Sequence, residues 1–200
     1  MRLNQKEGWI EVITGPMFAG KTEELLRRIK RLEYAKKNII VFKPQIDTRH
    51  EVDEVISHNN NRTQSVSVLK AEDMFNYVTA ETDVVAIDEV QFLDANTVKV
   101  INAFANAGKR VIVSGLDMDF RGEAFSFMPI LLSMGEYVTK LSAVCVKCGS
   151  PATRTQRIVN GKPARYLDPI VLIGASESYE ARCRKCHKVY RKPTPYKGRI

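Results

Sequence analysis

The segment Gly15-Pro16-Met17-Phe18-Ala19-Gly20-Lys21-Thr22 matches the pattern G-x-x-x-x-G-K-[ST] at every fixed position. A β-prone run over 9–14 precedes it, and apolar residues recur at helical spacing over 25–35 after it. A phosphate-binding loop needs this strand–loop–helix context, because N–H groups of the loop and of the helix N-terminus then converge on phosphate oxygens. Lys21 would reach the outer phosphates, and the Thr22 hydroxyl would ligate Mg²⁺. The alternative is a chance glycine-rich turn. Because the motif and its strand–helix context agree, nucleotide-dependent chemistry is the first hypothesis.

Composition limits the class of protein. The chain has 200 residues, 44% hydrophobic content and a net charge of +8, which favours one globular domain with a small appendage and an anionic partner. The charge does not decide between a nucleotide and a nucleic acid. No apolar run approaches the roughly 20 residues needed to cross a bilayer, and residues 1–7 lack a signal peptide's apolar stretch. We therefore expect a cytoplasmic protein without a membrane partner, and a merely solvated basic tail over 192–200.

The first 141 residues are expected to form one α/β domain. Apolar runs at 38–43, 82–89 and 109–115 are typical of strands buried on both faces of a parallel sheet. The stretches 71–78 and 94–107 between them have helical character, so the pattern predicts a P-loop NTPase (RecA-like) sheet flanked by helices. The polar stretch 44–62 is expected to be a long loop, either a lid or a disordered linker.

A second part of a nucleotide site follows the run Val84-Val85-Ala86-Ile87. Asp88 and Glu89 come directly after it, so both carboxylates should lie at the sheet's C-terminal edge, Asp88 on Mg²⁺ and Glu89 as a general base. The alternative is that they only cap the next helix. Asp88-Glu89-Val90-Gln91 also resembles the D-E-x-Q box of helicase-type ATPases. A helicase motor usually needs two such domains, and 200 residues supply only one. A single-domain ATPase that binds nucleic acid remains an alternative interpretation.

Two C-x-x-C pairs, Cys145/Cys148 and Cys183/Cys186, contain every cysteine of the chain. Two such pairs typically close a structural Zn²⁺ site of the ribbon type, here over 142–191. Disulfides or a redox pair are the alternative, although structural disulfides are rare in reducing cytoplasm. His187, next to Cys186, could replace a cysteine ligand, support the site or be merely exposed.

The gap between the cysteine pairs is long for a zinc ribbon, so it should do more than connect them. Asn160-Gly161, flanked by 157–159 and 162–167, predicts a hairpin with a type I′ turn. Pro163 would confine the second arm to a sheet edge.

These motifs together resemble the type II thymidine kinases, the cytosolic-type, zinc-containing family, over nearly the whole chain. Besides the cysteine pairs, the matching segments are Thr14 to Thr22, Asp47-Thr48-Arg49, Asp88-Glu89-Val90-Gln91-Phe92, Gly115-Leu116-Asp117-Met118-Asp119-Phe120-Arg121-Gly122, and Ile173-Gly174-Ala175 followed by Tyr179.

The resemblance implies ATP-dependent phosphorylation of the 5′-hydroxyl of thymidine or deoxyuridine, in pyrimidine deoxynucleotide salvage, with Glu89 as general base. It implies structural Zn²⁺ on the four cysteines, and Mg²⁺ with ATP on Thr22 and Asp88. It also implies a homotetramer, feedback inhibition by thymidine triphosphate and no nucleic-acid partner. The phosphate site would comprise the loop Gly15 to Thr22 with Asp47, Arg49, Asp88 and Gln91.

The resemblance further implies a nucleoside pocket closed by a lasso-like loop, which gives the long gap between the cysteine pairs a purpose. The implied pocket residues are Met17, Phe92, Leu116, Phe120, Phe125, the lasso residues Ile170, Val171, Leu172, Ile173 and Gly174, and Tyr179, which would pack on the base.

Overall fold

A computed structural model describes residues 7–45, 54–56, 62–171 and 177–193. The described strands are β1 (Trp9–Thr14), β2 (Ile39–Pro44), β3 (Glu54–Ile56), β4 (Arg62–Gln64), β5 (Val66–Val68), β6 (Val84–Ile87), β7 (Arg110–Gly115), β8 (Tyr137–Lys140), β9 (Ala143–Val144), β10 (Pro151–Ala152), β11 (Arg154–Val159), β12 (Lys162–Pro163) and β13 (Glu177–Arg182). The described helices are α1 (Lys21–Tyr34), α2 (Thr97–Asn106), α3 (Met128–Met134) and the 3₁₀ helices Ala71–Asn76 and Val90–Phe92.

A six-stranded parallel sheet forms the core, in the order β5-β2-β6-β7-β1-β8. The four apolar runs of the sequence form its central strands β2, β6, β7 and β1, which confirms the predicted α/β fold. Helix α1 buries Leu25 and Ile29 with Ile13 and Ile112 on one face of the sheet. The opposite face packs against α2 through residues such as Ile101. The carboxyl ends of β1, β6 and β7 therefore meet at one edge, between two covered faces.

Four strands of this half of the chain were not expected. Strands β5 and β8 extend the sheet at its two edges. Strand β3 lies within the polar stretch 44–62 that is predicted as a long loop, and it pairs in antiparallel fashion with β4, which begins where that stretch ends. Three-residue strands carry too little apolar pattern to be distinguished from a loop by sequence. The predicted helical stretch at 71–78 is the 3₁₀ helix Ala71–Asn76.

The cysteine-containing part consists of small antiparallel sheets. Strands β9 and β10 form one pair, and β12-β11-β13 form a three-stranded sheet. Asn160 and Gly161, at φ 49° and 72°, connect β11 to β12, as the predicted type I′ turn requires. Strand β12, which contains Pro163, is at the edge of its sheet, because proline has no N–H to donate to a further strand. In the described part of the chain, no helix is both long and apolar enough to span a bilayer.

Candidate active site

The phosphate-loop segment connects the end of β1 to the start of α1. Gly20 at the N-cap of α1 has φ 80°, a left-handed conformation that glycine adopts without steric cost. The Nζ of Lys21 donates to the carbonyl of Pro16 at 2.9 Å, so the lysine curls back over the loop. Burial lowers the pKa of Lys21, while the negative charges of Glu89, Asp88 and Asp117 oppose that shift. The nearby carboxylates thus favour the charged ammonium form of Lys21.

Asp88 connects the end of β6 to the phosphate loop. Its Oδ2 accepts a hydrogen bond from the Thr22 hydroxyl at 3.0 Å, and its Oδ1 accepts from Ser114 on β7 and from the backbone N–H of Glu89. The structure therefore brings together the hydroxyl and the carboxylate expected to hold Mg²⁺. A hydroxyl and a carboxylate oxygen at the end of a phosphate loop are the donors that Mg²⁺ uses in such sites.

Glu89 lies at the sharp turn after β6 in a left-handed conformation, with φ 51° and ψ 36°. Such a backbone costs a non-glycine residue energy and is found where the surroundings enforce it. The Gln91 amide donates to the Glu89 carboxylate at 2.5 Å. Burial, and next the charge of Asp88, raise the pKa of Glu89, while Lys21 and Gln91 hold it down. Neither this residue nor another side chain caps the 3₁₀ helix that follows, so the helix-capping alternative finds no support.

The resemblance implies that Gln91 is a phosphate-binding residue, and in the structure its side chain contacts Glu89 and the chain after β7. Its side-chain nitrogen donates to Glu89, and its side-chain oxygen accepts a hydrogen bond from the backbone N–H of Leu116 at 3.1 Å. The close approach requires glycine at position 115, because a Cβ there would lie 2.5 Å from that same oxygen. The end of β7 thus fixes Gln91, and Gln91 fixes Glu89.

A cavity of about 280 Å³ lies between the sheet edge and the cysteine-containing part. The predicted residues that line it are Glu89, Met17, Phe92, Leu116, Phe120, Phe125, Ile170, Val171 and Tyr179. The rings of Phe92 and Phe125 meet edge to face at 5.7 Å. A planar aromatic ligand is well matched to such a cavity.

Three residues that line the cavity were not predicted: Met118, Asp119 and Thr155. The first two lie inside the quoted 115–122 segment, and their neighbours Leu116 and Phe120 were the available signal. No local sequence pattern marks Thr155 as a site residue. Its link to the site is a tertiary contact, in which its Oγ1 accepts a hydrogen bond from the backbone N–H of Met17, 138 residues away in sequence. Burial raises the pKa of Asp119, although backbone N–H groups of Glu123 and Arg121 bind its carboxylate.

The four cysteines are free and converge on one point. Their Sγ atoms all lie within 4.8 Å of one another. Four thiolates around one zinc ion lie about 3.8 Å apart, since each is about 2.3 Å from the metal, so this group fits zinc. Burial raises the pKa of Cys145, but backbone N–H groups of Cys183, Lys147 and Cys148 outweigh it and lower that pKa to about 6. Without a metal, hydrogen bonds with Cys183 and Cys148 raise the pKa of Cys186 to about 12.

His187 is outside this thiol cluster. Its Nε2 lies 2.9 Å from the carbonyl of Phe120, a residue that lines the cavity, and burial lowers its pKa. Five predicted site residues fall outside the described part of the chain: Asp47, Arg49, Leu172, Ile173 and Gly174.

Comparison with known proteins agrees with this geometry. The family model for thymidine kinase matches residues 8–187, a range that includes the phosphate loop, both carboxylates, the cavity and all four cysteines. A match over nearly the whole chain supports thymidine kinase activity in general, and the chain belongs to the thymidine kinase family.

Proposed function

We propose that the protein transfers the γ-phosphoryl group of ATP to the 5′-hydroxyl of thymidine or deoxyuridine, as a cytoplasmic step of pyrimidine deoxynucleotide salvage. The observation that carries this proposal is the position of Glu89. It lines the apolar cavity, and it directly follows Asp88, which binds the phosphate-loop residue Thr22. One carboxylate therefore adjoins both the nucleoside pocket and the phosphate site.

In the proposed reaction Glu89 acts as the general base. An alcohol is a poor nucleophile at neutral pH, so the carboxylate accepts the proton of the 5′-hydroxyl as its oxygen attacks the γ-phosphorus and ADP leaves. The raised pKa of Glu89 brings its basicity closer to the working pH, which makes proton acceptance more effective.

Lys21 and the loop N–H groups stabilise the charge on the phosphates. Lys21 exchanges the carbonyl of Pro16 for phosphate oxygens when ATP binds. Thr22 and Asp88 would hold Mg²⁺, which supplies neutralisation of the β- and γ-phosphate charges. The nucleotide part of the site extends to Asp47 and Arg49.

The nucleoside is proposed to bind with its base among Phe92, Phe125 and Tyr179, in a cavity near the lower end of the roughly 300–1,000 Å³ usual for small-molecule sites. We also assign the lasso residues Leu172, Ile173 and Gly174, together with Ile170 and Val171, to nucleoside binding. In this proposal residues 1–141 bind the phosphates, and residues 142–191 close the nucleoside pocket. The zinc ion, a homotetrameric assembly and feedback inhibition by thymidine triphosphate are part of the same proposal, on the basis of the family resemblance.

The test is an assay of the purified protein with ATP and Mg²⁺ that compares thymidine, deoxycytidine and single-stranded DNA as stimulants of ADP release. We expect stimulation by thymidine alone, with thymidine monophosphate as product. Stimulation by DNA without a response to thymidine would replace this proposal with the nucleic-acid-dependent ATPase.

A further inference from the structure

The chain segment 168–171 contributes Ile170 and Val171 to one wall of the cavity and has little packing of its own. Ile170 and Val171 line the cavity, yet they remain 42% and 44% exposed. Side-chain burial therefore cannot by itself hold this wall in place. Two arginines from separate elements bind the backbone of its first two residues.

The first is Arg157 in the centre of β11. Its side chain is completely buried, and its Nη1 donates to the carbonyl of Pro169 at 2.5 Å. The same guanidinium lies 5.0 Å from the ring centre of Phe120, which also lines the cavity. Arg157 thus joins the wall to an aromatic ring of the pocket.

The second is Arg121, in the loop after β7. Its Nη2 donates to the carbonyl of Asp168 at 2.9 Å. Its guanidinium also lies against Phe120, at 5.4 Å, and against Tyr166, at 5.1 Å. Two consecutive carbonyls are therefore each bound by an arginine, and both arginines contact the same phenyl ring.

We propose that Arg121, Arg157 and the ring of Phe120 form an arginine clamp that positions the 168–171 wall for nucleoside binding. The inference rests on the proposed function for the identity of the nucleoside. Neither arginine is among the described residues that line the cavity, so both are positioning residues. A guanidinium is required because it stacks on an aromatic face and donates in its own plane at the same time, whereas an ammonium is a compact point charge.

The kinetic test uses Arg121→Lys and Arg157→Lys, which keep the charge and remove the planar donor. Each is expected to raise the KM for thymidine about tenfold, the change that corresponds to losing one charge-assisted hydrogen bond. The KM for ATP and kcat should stay within about twofold. The matched control is Arg182→Lys on β13, a buried arginine whose guanidinium binds Glu180. An unchanged KM for thymidine in the two variants, or an equal rise of that KM in the control, would overturn the clamp.

Amide hydrogen exchange tests the clamp without any substrate. In both variants, a peptide that covers 165–171 should exchange faster than in the wild type, while 110–115 in β7 should keep its protection. Unchanged exchange over 165–171 would refute the clamp even in an active enzyme. If the wild type does not phosphorylate thymidine, the proposed function fails and exchange alone decides on the clamp.

A buried arginine is difficult to replace, so the two variants differ in risk. If Arg157→Lys does not fold, Arg121→Lys still decides the question, because the side chain of Arg121 is 20% exposed and tolerates change more readily. A wild-type KM and wild-type exchange in Arg121→Lys would then count against the clamp.

Discussion

Glu89 is held by a partner whose effect on its ionisation can be tested. In its proposed role as the general base, Glu89 must be deprotonated, so the rate should fall as the pH drops through its pKa. Burial and the neighbouring Asp88 raise that pKa, and the hydrogen bond from Gln91 opposes the rise. In Gln91→Leu the opposing donor is lost, so we expect the acid limb of kcat/KM for thymidine to move to higher pH. A pH–rate profile measures this, with circular dichroism at each pH as the control for folding. An unmoved limb would show that Gln91 does not tune Glu89.

The same carboxylate is expected to cost the folded state stability. A group with a raised pKa in the folded protein prefers to be protonated there, so its favourable contribution is complete below the unfolded pKa near 4.5 and is lost as the pH rises through the folded pKa. At pH 7 the neutral isostere in Glu89→Gln should therefore raise Tm while kcat falls by about 10²–10⁴-fold. The gain in Tm should shrink as the pH falls toward 4.5. Thermal unfolding at pH 7 and pH 5 checks this, and a lower Tm at pH 7 would contradict the burial cost.

At the scale of elements, the cysteine pairs lie next to strands that line the cavity. Cys183 directly follows β13, which carries Tyr179 and pairs with β11, the strand of Thr155. The backbone N–H of Val146, between the first two cysteines, donates to Ala181 on β13. A metal on the cysteines would therefore fix the end of a strand that reaches the cavity.

Removal of zinc is expected to raise the KM for thymidine and to lower Tm, with a smaller effect on the KM for ATP, because the phosphate loop lies on the α/β sheet. The measurement compares chelated protein of verified metal content with protein to which zinc has been restored. Cys148→Ser offers a second route, since Cys148 is the exposed member of the cluster. Unchanged kinetics in metal-free protein would refute a supporting role for the metal.

The elements also show which parts of the fold a sequence can predict. Strands β1, β6 and β7 could be found because both their faces are buried and their apolar runs are continuous. Strand β8 could not, because its residues are mostly exposed at the sheet edge and its apolar pattern is weak. The motifs placed Lys21, Asp88 and Glu89 at one site. The contact of Thr155 with Met17 and the support of Glu89 by Gln91 depend on tertiary geometry that no local pattern contains.

At the scale of the whole molecule, the cavity belongs to neither part of the chain alone. Glu89 and Phe92 come from the sheet, whereas Thr155 and Tyr179 come from the cysteine-containing part. The Met17–Thr155 hydrogen bond and the His187–Phe120 contact cross the same boundary. A nucleoside in the cavity would contact both sides, so unfolding of either part would release it.

Bound thymidine should therefore stabilise the protein as one cooperative unit. At 100 times its Kd, a ligand that binds only the folded state adds about 2.7 kcal/mol, which for a chain of this length raises Tm by about 5–10 °C. Scanning calorimetry of the zinc-loaded protein should show one transition that moves upward with thymidine and does not move with deoxycytidine. Two transitions, of which thymidine moves only one, would mean that the nucleoside is held by a single part of the chain, and the shared cavity would then not be the binding site.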